Sequence, residues 1–164
     1  MPTLILLRHA KSDYPPGVRD HDRPLSARGQ ANAALIGAHL GGFVTRGASM
    51  GVAVSTAVRA QETWRHAEAG YEQPQQRWND SALYLAEPEV IVETTRCFTT
   101  DVGIVVGHNP GLAELAASVT PGDGVVARQL ATKFPTATFA VLDLADQSWE
   151  GWSTAVCTDV VICR

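Results

Sequence analysis

The sequence predicts an α/β domain built on a mostly parallel, open sheet of five or six strands, one of them antiparallel, with helices on both faces. Three observations predict it. Two apolar runs lack the alternation of a half-exposed strand and each ends in a histidine, at 4–9 and 102–108. A short apolar run at 51–55 leads directly into a helical pattern, the step that generates parallel pairing. Two β-branched segments, 136–144 and 153–164, close the chain around a turn near Asp146 to Gly151.

The first run, Leu4, Ile5, Leu6 and Leu7, reads as a strand buried on both faces that ends in Arg8 and His9. The following "KSDYPPGVRDHDRP" holds three prolines and a glycine, so it reads as a surface loop. "LSARGQANAALIGAHLGGF" then opens on Ser26 as an N-cap and closes at Gly41 and Gly42, with Ala31, Ala34, Leu35, Ala38 and His39 at helical spacing. "TAVRAQETWRHAEA" continues the strand at 51–55 as a helix, and Tyr71 to Leu85 carries no clear period. "PEVIVETTRCF" resumes a helix with Pro88 in its first turn. After the strand at 102–108, Pro110 and Gly111 lead into the helical "LAELAASV".

A chain of 164 residues is the size of one ordinary domain, expected to span 1–164, and buries roughly 70% of its unfolded surface without disulfides. Hydrophobic and charged fractions of 45% and 18% are those of a globular protein. No apolar run reaches bilayer-spanning length, and Met1 to Leu7 lacks the basic start and cleavage site of a signal peptide, so no membrane contact and a cytoplasmic address are expected. A net charge of −4 argues against nucleic-acid binding. Cys97, Cys157 and Cys163 form neither a C-x-x-C pair nor an even set, and read as buried or incidental thiols.

In open α/β sheets ligands collect beyond the carboxyl ends of the strands. Three polar clusters fall there: Arg8 with His9, Ser55 with Arg59, and His108. Two arginines and two histidines around one cleft make a cationic site, and guanidinium forks match phosphate oxygens. A neutral imidazole there is able to attack phosphorus in line while the arginines absorb charge.

The motifs "LLRHAKS" at 6–12, "RPLSARG" at 23–29, "VSTAVRAQET" at 54–63 and "VGHNPGL" at 106–112 together resemble the histidine phosphatase (phosphoglycerate mutase-like) superfamily. Their order and spacing are those of its small SixA-like phosphohistidine phosphatases. The resemblance implies that His9 is the phosphorylated nucleophile, that Arg8 and Arg59 bind phosphoryl oxygens, and that His108 donates to the phosphoryl group. Ser12, Lys11 and Asn109 are expected at the rim of the substrate site. It further implies a hydrolase with no cofactor and no metal, acting on a phosphorylated histidine-containing protein. The alternatives are a small-molecule phosphomonoesterase or mutase of the same superfamily, or a phospho-ligand binding module without turnover.

One departure concerns the general acid. Larger members carry an acidic residue on an insertion or directly after the second histidine, where this chain has Asn109. Asp80, Glu87 and Glu89 lie in the region where relatives place an acid, and their spacing singles out none. A phosphohistidine leaves as an imidazole that already carries its proton near neutral pH, so the missing acid points to phosphoramidates over sugar phosphates.

Plainer readings apply elsewhere. Arg59 has Glu62 at i+3 for an ordinary helix ion pair, and His108 alone reads equally as a helix-entry residue. His39 and His66 read as structural or solvated. Asp20, His21 and Asp22 read as a solvated turn rather than a metal site, because adjacent residues seldom converge on one ion. Arg23 and Arg28 read as loop anchors, and Trp64, Trp78, Trp149 and Trp152 as packing residues.

Overall fold

A computed structural model describes residues 1–70, 74–120, 122–144 and 148–164. The strands are β1 (Thr3–Arg8), β2 (Met50–Ser55), β3 (Gln76–Asp80), β4 (Val102–Gly107), β5 (Thr138–Asp143) and β6 (Val156–Ile162). They form one six-stranded sheet in the order β3-β2-β4-β1-β5-β6. Pairings among β1 to β4 are parallel, and β5 alone runs the other way, antiparallel to both β1 and β6.

The helices α1 (Ala27–Leu40) and α2 (Val58–Ala67) cover one face; α3 (Pro88–Thr95), α4 (Gly111–Ser118) and α5 (Val125–Thr132) cover the other. This explains the unbroken apolar runs. Leu4 and Leu6 point into the core beneath α3 to α5, while Ile5 and Leu7 point into the core beneath α1 and α2. Period-2 alternation persists, but both faces are apolar. Among the described residues no helix is long and apolar enough to cross a membrane.

The structure corrects the buried face of α1. Ser26 does cap it, accepting from the Gly29 amide, yet Ala31, Ala34, Leu35, Ala38 and His39 are exposed. The buried stripe is Gly29, Asn32, Ala33, Ile36, Gly37 and Leu40. The glycines are there for close approach: a Cβ at Gly29 would lie 2.0 Å from the Lys11 carbonyl oxygen, and one at Gly37 2.3 Å from that of Ala67. The helix therefore packs backbone against backbone, and hydrophobicity alone points to the wrong side.

Two elements have no counterpart in the sequence reading. β3 lies in the stretch without a clear period; it is an edge strand paired only with β2, and its exposure alternates around Trp78. α5 is only eight residues long and fully buries Leu130 alone, with Val126 packed beside it. Tyr71 and the Asp146 end of the proposed turn lie outside the described residues. Trp64, Trp149 and Trp152 are buried and Trp78 packs against Phe98, while Cys157 and Cys163 are buried and Cys97 is exposed.

Candidate active site

Strand register brings the three polar clusters together. β1 and β4 pair with Arg8 opposite Gly107, and the His9 amide donates to the Gly107 carbonyl at 3.1 Å. The next residues, His9 and His108, therefore stand side by side, ring centroids 5.1 Å apart. β2 pairs with β4 through Val54 and Val106, which puts Ser55 beside the same site. Arg59 is the second residue of α2, which begins immediately after β2.

The Arg59 guanidinium lies between the two rings. Its Nε donates to His9 Nε2 at 3.3 Å, and its Nη2 lies 3.4 Å from His108 Nδ1. His9 Nδ1 is 2.7 Å from the Ala10 carbonyl oxygen. A carbonyl only accepts, so Nδ1 carries the proton and Nε2 presents the lone pair that accepts from Arg59 Nε. The Ser55 hydroxyl lies 2.8 Å from His108 Nε2. Thr63 ties α2 to the loop, accepting from the Ala10 amide and donating to the Arg59 carbonyl.

Both rings are neutral near pH 7. Burial pushes His9 down to about 3, and Arg59, Arg8 and Arg23 act in the same direction. Burial likewise pushes His108 down to about 3, with His9 and Arg59 adding to it.

All seven expected residues, Arg8, His9, Lys11, Ser12, Arg59, His108 and Asn109, line one cleft of about 350 Å³. Arg8 Nη1 and the Asn109 amide both donate to the Phe134 carbonyl at 2.8 Å. Arg8 Nε is buried without a protein partner. Asn109 thus spends a donor on bracing the chain before β5. The Ser12 hydroxyl accepts from Arg23 at 2.8 Å.

None of the three acids considered for proton donation lines this cleft. Asp80 accepts from the Ala82 amide and from the Thr94 hydroxyl. Glu87 precedes α3, and Glu89 lines a separate groove that includes Trp152. The carboxylate in the cleft is Asp20, from the turn read as solvated. It accepts from Arg59 Nη2 at 3.1 Å, from Arg23, and from the Tyr84 hydroxyl. Tyr84 first, then Arg23 and Arg59, hold its carboxyl well below the usual carboxylate range. Arg23, read as a loop anchor, also lines the cleft.

Sequence spacing shows only the Arg23 partner of Asp20, three positions on, because Arg59 and Tyr84 are 39 and 64 positions away. Asp22 turns instead to Arg19 and His21, so the two aspartates do not converge. His21 reaches the Thr56 hydroxyl at 2.9 Å and packs edge-on against Tyr84. The Arg59–Glu62 pair does not form: Glu62 accepts from the Leu25 amide and faces Arg65.

Residues 4–85 match the family model of the histidine phosphatase superfamily (branch 1), and that segment holds Arg8, His9, Ser55 and Arg59. The chain belongs to the histidine phosphatase superfamily. It is 40% identical over 144 residues to an uncharacterized protein of Mycobacterium tuberculosis, covering 85% of this chain and 87% of the relative. Among solved structures it resembles a candidate phosphohistidine phosphatase SixA from Nakamurella multipartitia, with TM-score 0.82, 26% identity, and coverage of 98% of this chain and 95% of that one. A candidate SixA from Agrobacterium tumefaciens superposes with TM-score 0.79 at 25% identity, covering 98% of each chain. The histidine phosphatase cleft of this chain thus presents a neutral imidazole nitrogen among Arg8, Lys11, Arg23 and Arg59.

Proposed function

We propose that this chain is a phosphatase that passes a phosphoryl group through His9 to water, without a metal or other cofactor, and that its substrate is protein phosphohistidine. The observation that carries this reading is the His9 Nε2 lone pair, fixed by the Nδ1 bond to Ala10 and set 3.3 Å from Arg59 Nε. In the first step Nε2 forms a bond to phosphorus as the bond from phosphorus to the leaving nitrogen breaks. The departing imidazole keeps the proton it already carries. Water then attacks phosphorus, the bond to Nε2 breaks, and inorganic phosphate leaves.

Arg59 and Arg8 offer N–H groups to the equatorial oxygens, where transition-state charge gathers. His108, oriented by Ser55, accepts from Arg59 at Nδ1 and so helps hold the guanidinium over the site. Ser12 and Asn109 shape the rim. The ionised Asp20 holds no proton to give, which suits a phosphoramidate better than an alkyl phosphate. Similarity to the candidate SixA proteins supports the same substrate class.

The test incubates the protein with a histidine-phosphorylated carrier and quenches at alkaline pH, where phosphohistidine survives. A label on His9 that is absent from His9→Ala, with turnover unchanged by EDTA and faster than on sugar phosphates, is the expected result. Faster release from sugar phosphates would replace the substrate, and phosphate binding with no label would make the chain a binding module.

A further inference from the structure

We propose that Asp20 is a positioning residue for the phosphoryl-transfer site, one that holds the outer edge of the Arg59 guanidinium so that its Nε stays aimed at His9; the inference rests on the phosphatase reading above. Arg59 has two working edges. The inner one carries Nε, 3.3 Å from His9 Nε2, and an Nη2 that reaches towards His108. The outer one is gripped twice by a single residue: Nη1 donates to the Asp20 carbonyl at 2.6 Å and Nη2 to its carboxylate at 3.1 Å.

The carboxylate is saturated by these contacts. One oxygen accepts from Arg23 Nε at 3.1 Å and Arg23 Nη2 at 3.0 Å. The other accepts from Arg59 Nη2 and from the Tyr84 hydroxyl. Two lone-pair directions on each oxygen are thereby filled, so Asp20 has no acceptor left for a substrate. Its action is to join three segments: the loop after β1, the start of α2, and the turn after β3 that bears Tyr84. It also separates two like-charged side chains. Arg23 is itself held by Ser12 and by the Tyr14 ring, whose centroid lies 4.0 Å from its guanidinium carbon.

Asp20 is about half exposed, so its replacement leaves the core intact. The experiment compares wild type, Asp20→Asn and Asp20→Ala in four measurements: kcat on the phosphohistidine carrier, inhibition by inorganic phosphate, thermal midpoint, and solvent protection of the Arg59 Nε–H in proton–nitrogen NMR. Arg59→Lys assigns the NMR signal. Misaim of a charge-stabilising group costs on the order of 10- to 100-fold in rate, and that is the fall in kcat expected for Asp20→Ala. Phosphate inhibition should be unchanged or tighter, because Arg59 keeps its charge and loses a competing anion. The midpoint should hold within a few degrees, and the Nε–H should lose its protection. Asp20→Asn, which keeps one acceptor oxygen for Arg59, should fall between the two.

A kcat for Asp20→Ala within twofold of wild type would overturn the proposal. So would a joint loss of kcat, phosphate binding and thermal midpoint, which would make Asp20 a clip for its loop, or a rise in kcat/KM, which would make it a competitor of the substrate. If the wild type turns over no phosphorylated substrate, the phosphatase reading fails by itself. The Arg59 Nε–H signal then still decides whether Asp20 orders the guanidinium.

Discussion

Acidification should destabilise this protein before its carboxylates titrate, because two histidines are buried in their neutral form. His9 and His108 are 7% and 3% exposed, and each is pushed from the ordinary 6.5 down to about 3. Below pH 6.5 the unfolded chain takes up protons on these rings and the folded chain does not. Their contribution is therefore fully present above 6.5 and drains away as the pH falls towards 3. Each ring loses about 1.4 kcal/mol per pH unit in that window, so about 2 kcal/mol each at pH 5. Because the rings face each other and share the same arginines, the pair is worth about 3–4 kcal/mol, a large part of the 5–15 kcal/mol typical of a domain. Urea unfolding at pH 7.5 and pH 5 measures the loss in wild type and in a His9→Asn, His108→Asn double variant. The variant should lose about 3–4 kcal/mol less between the two pH values. Equal losses in the two proteins would refute the assignment of both rings as buried and neutral.

Three further outcomes are expected. Ser55→Ala removes the partner of His108 Nε2 in a fully buried position; it should cost about 1–3 kcal/mol of stability and change the His108 tautomer pattern in nitrogen NMR, whereas an unchanged pattern would mean that Ser55 does not orient the ring. Gly37→Ala sets a Cβ against the Ala67 carbonyl and should destabilise by about 1–3 kcal/mol, read as a lower thermal midpoint, while Ala34→Glu on the exposed face of α1 should leave the midpoint unchanged. Sulfate, whose charge is constant between pH 5 and 8, should raise the midpoint through Arg8, Arg59 and His108, and more so at pH 5.5 than at pH 7.5, since a bound anion favours protonated rings; saturation near 100 times the dissociation constant gives about 2.7 kcal/mol, and Arg59→Ala should abolish the effect.

The readable parts of the sequence are those where local pattern and tertiary role coincide. Four buried residues in a row announce β1 because both faces of the sheet are covered, and the polar residues at its end, Arg8 and His9, line the cleft because the strand stops where the cleft begins. His108 is legible for the same reason on β4. α1 shows the opposite case. Its alanine-rich surface offers apolar residues on every side, and the packing choice falls to Gly29 and Gly37, whose value lies in what they lack. β3 holds a single apolar residue, Trp78, and α5 spans only eight residues, so neither offers the length of apolar pattern that marks an element in a sequence. Asp20 is the most consequential omission. Arg23 at i+3 makes it read as a local surface ion pair, and its place in the cleft follows only from Arg59 and Tyr84 arriving from distant segments.

A census of protons in the cleft ties the site to its leaving group. The His9 proton sits on Nδ1 and is committed to the Ala10 carbonyl. The Tyr84 proton is committed to Asp20, which lifts the phenol above its ordinary value of 10.0. Asp20 has none. His108 is neutral, shares its Nε2 with the Ser55 hydroxyl and accepts from Arg59 at Nδ1, so it has no proton free for a leaving group. Apart from the exposed Lys11 and Tyr14 at its mouth, the cleft is rich in fixed positive charge and poor in transferable protons. Such a site lowers the barrier for the equatorial oxygens of any phosphoryl group, but it leaves an alkoxide without the general acid that contributes about 10²–10⁴-fold. On the proposed reading, a protonated imidazole would depart without that help, and Asp20, fixing Arg59 instead of protonating a leaving group, would serve the charge half of the reaction alone.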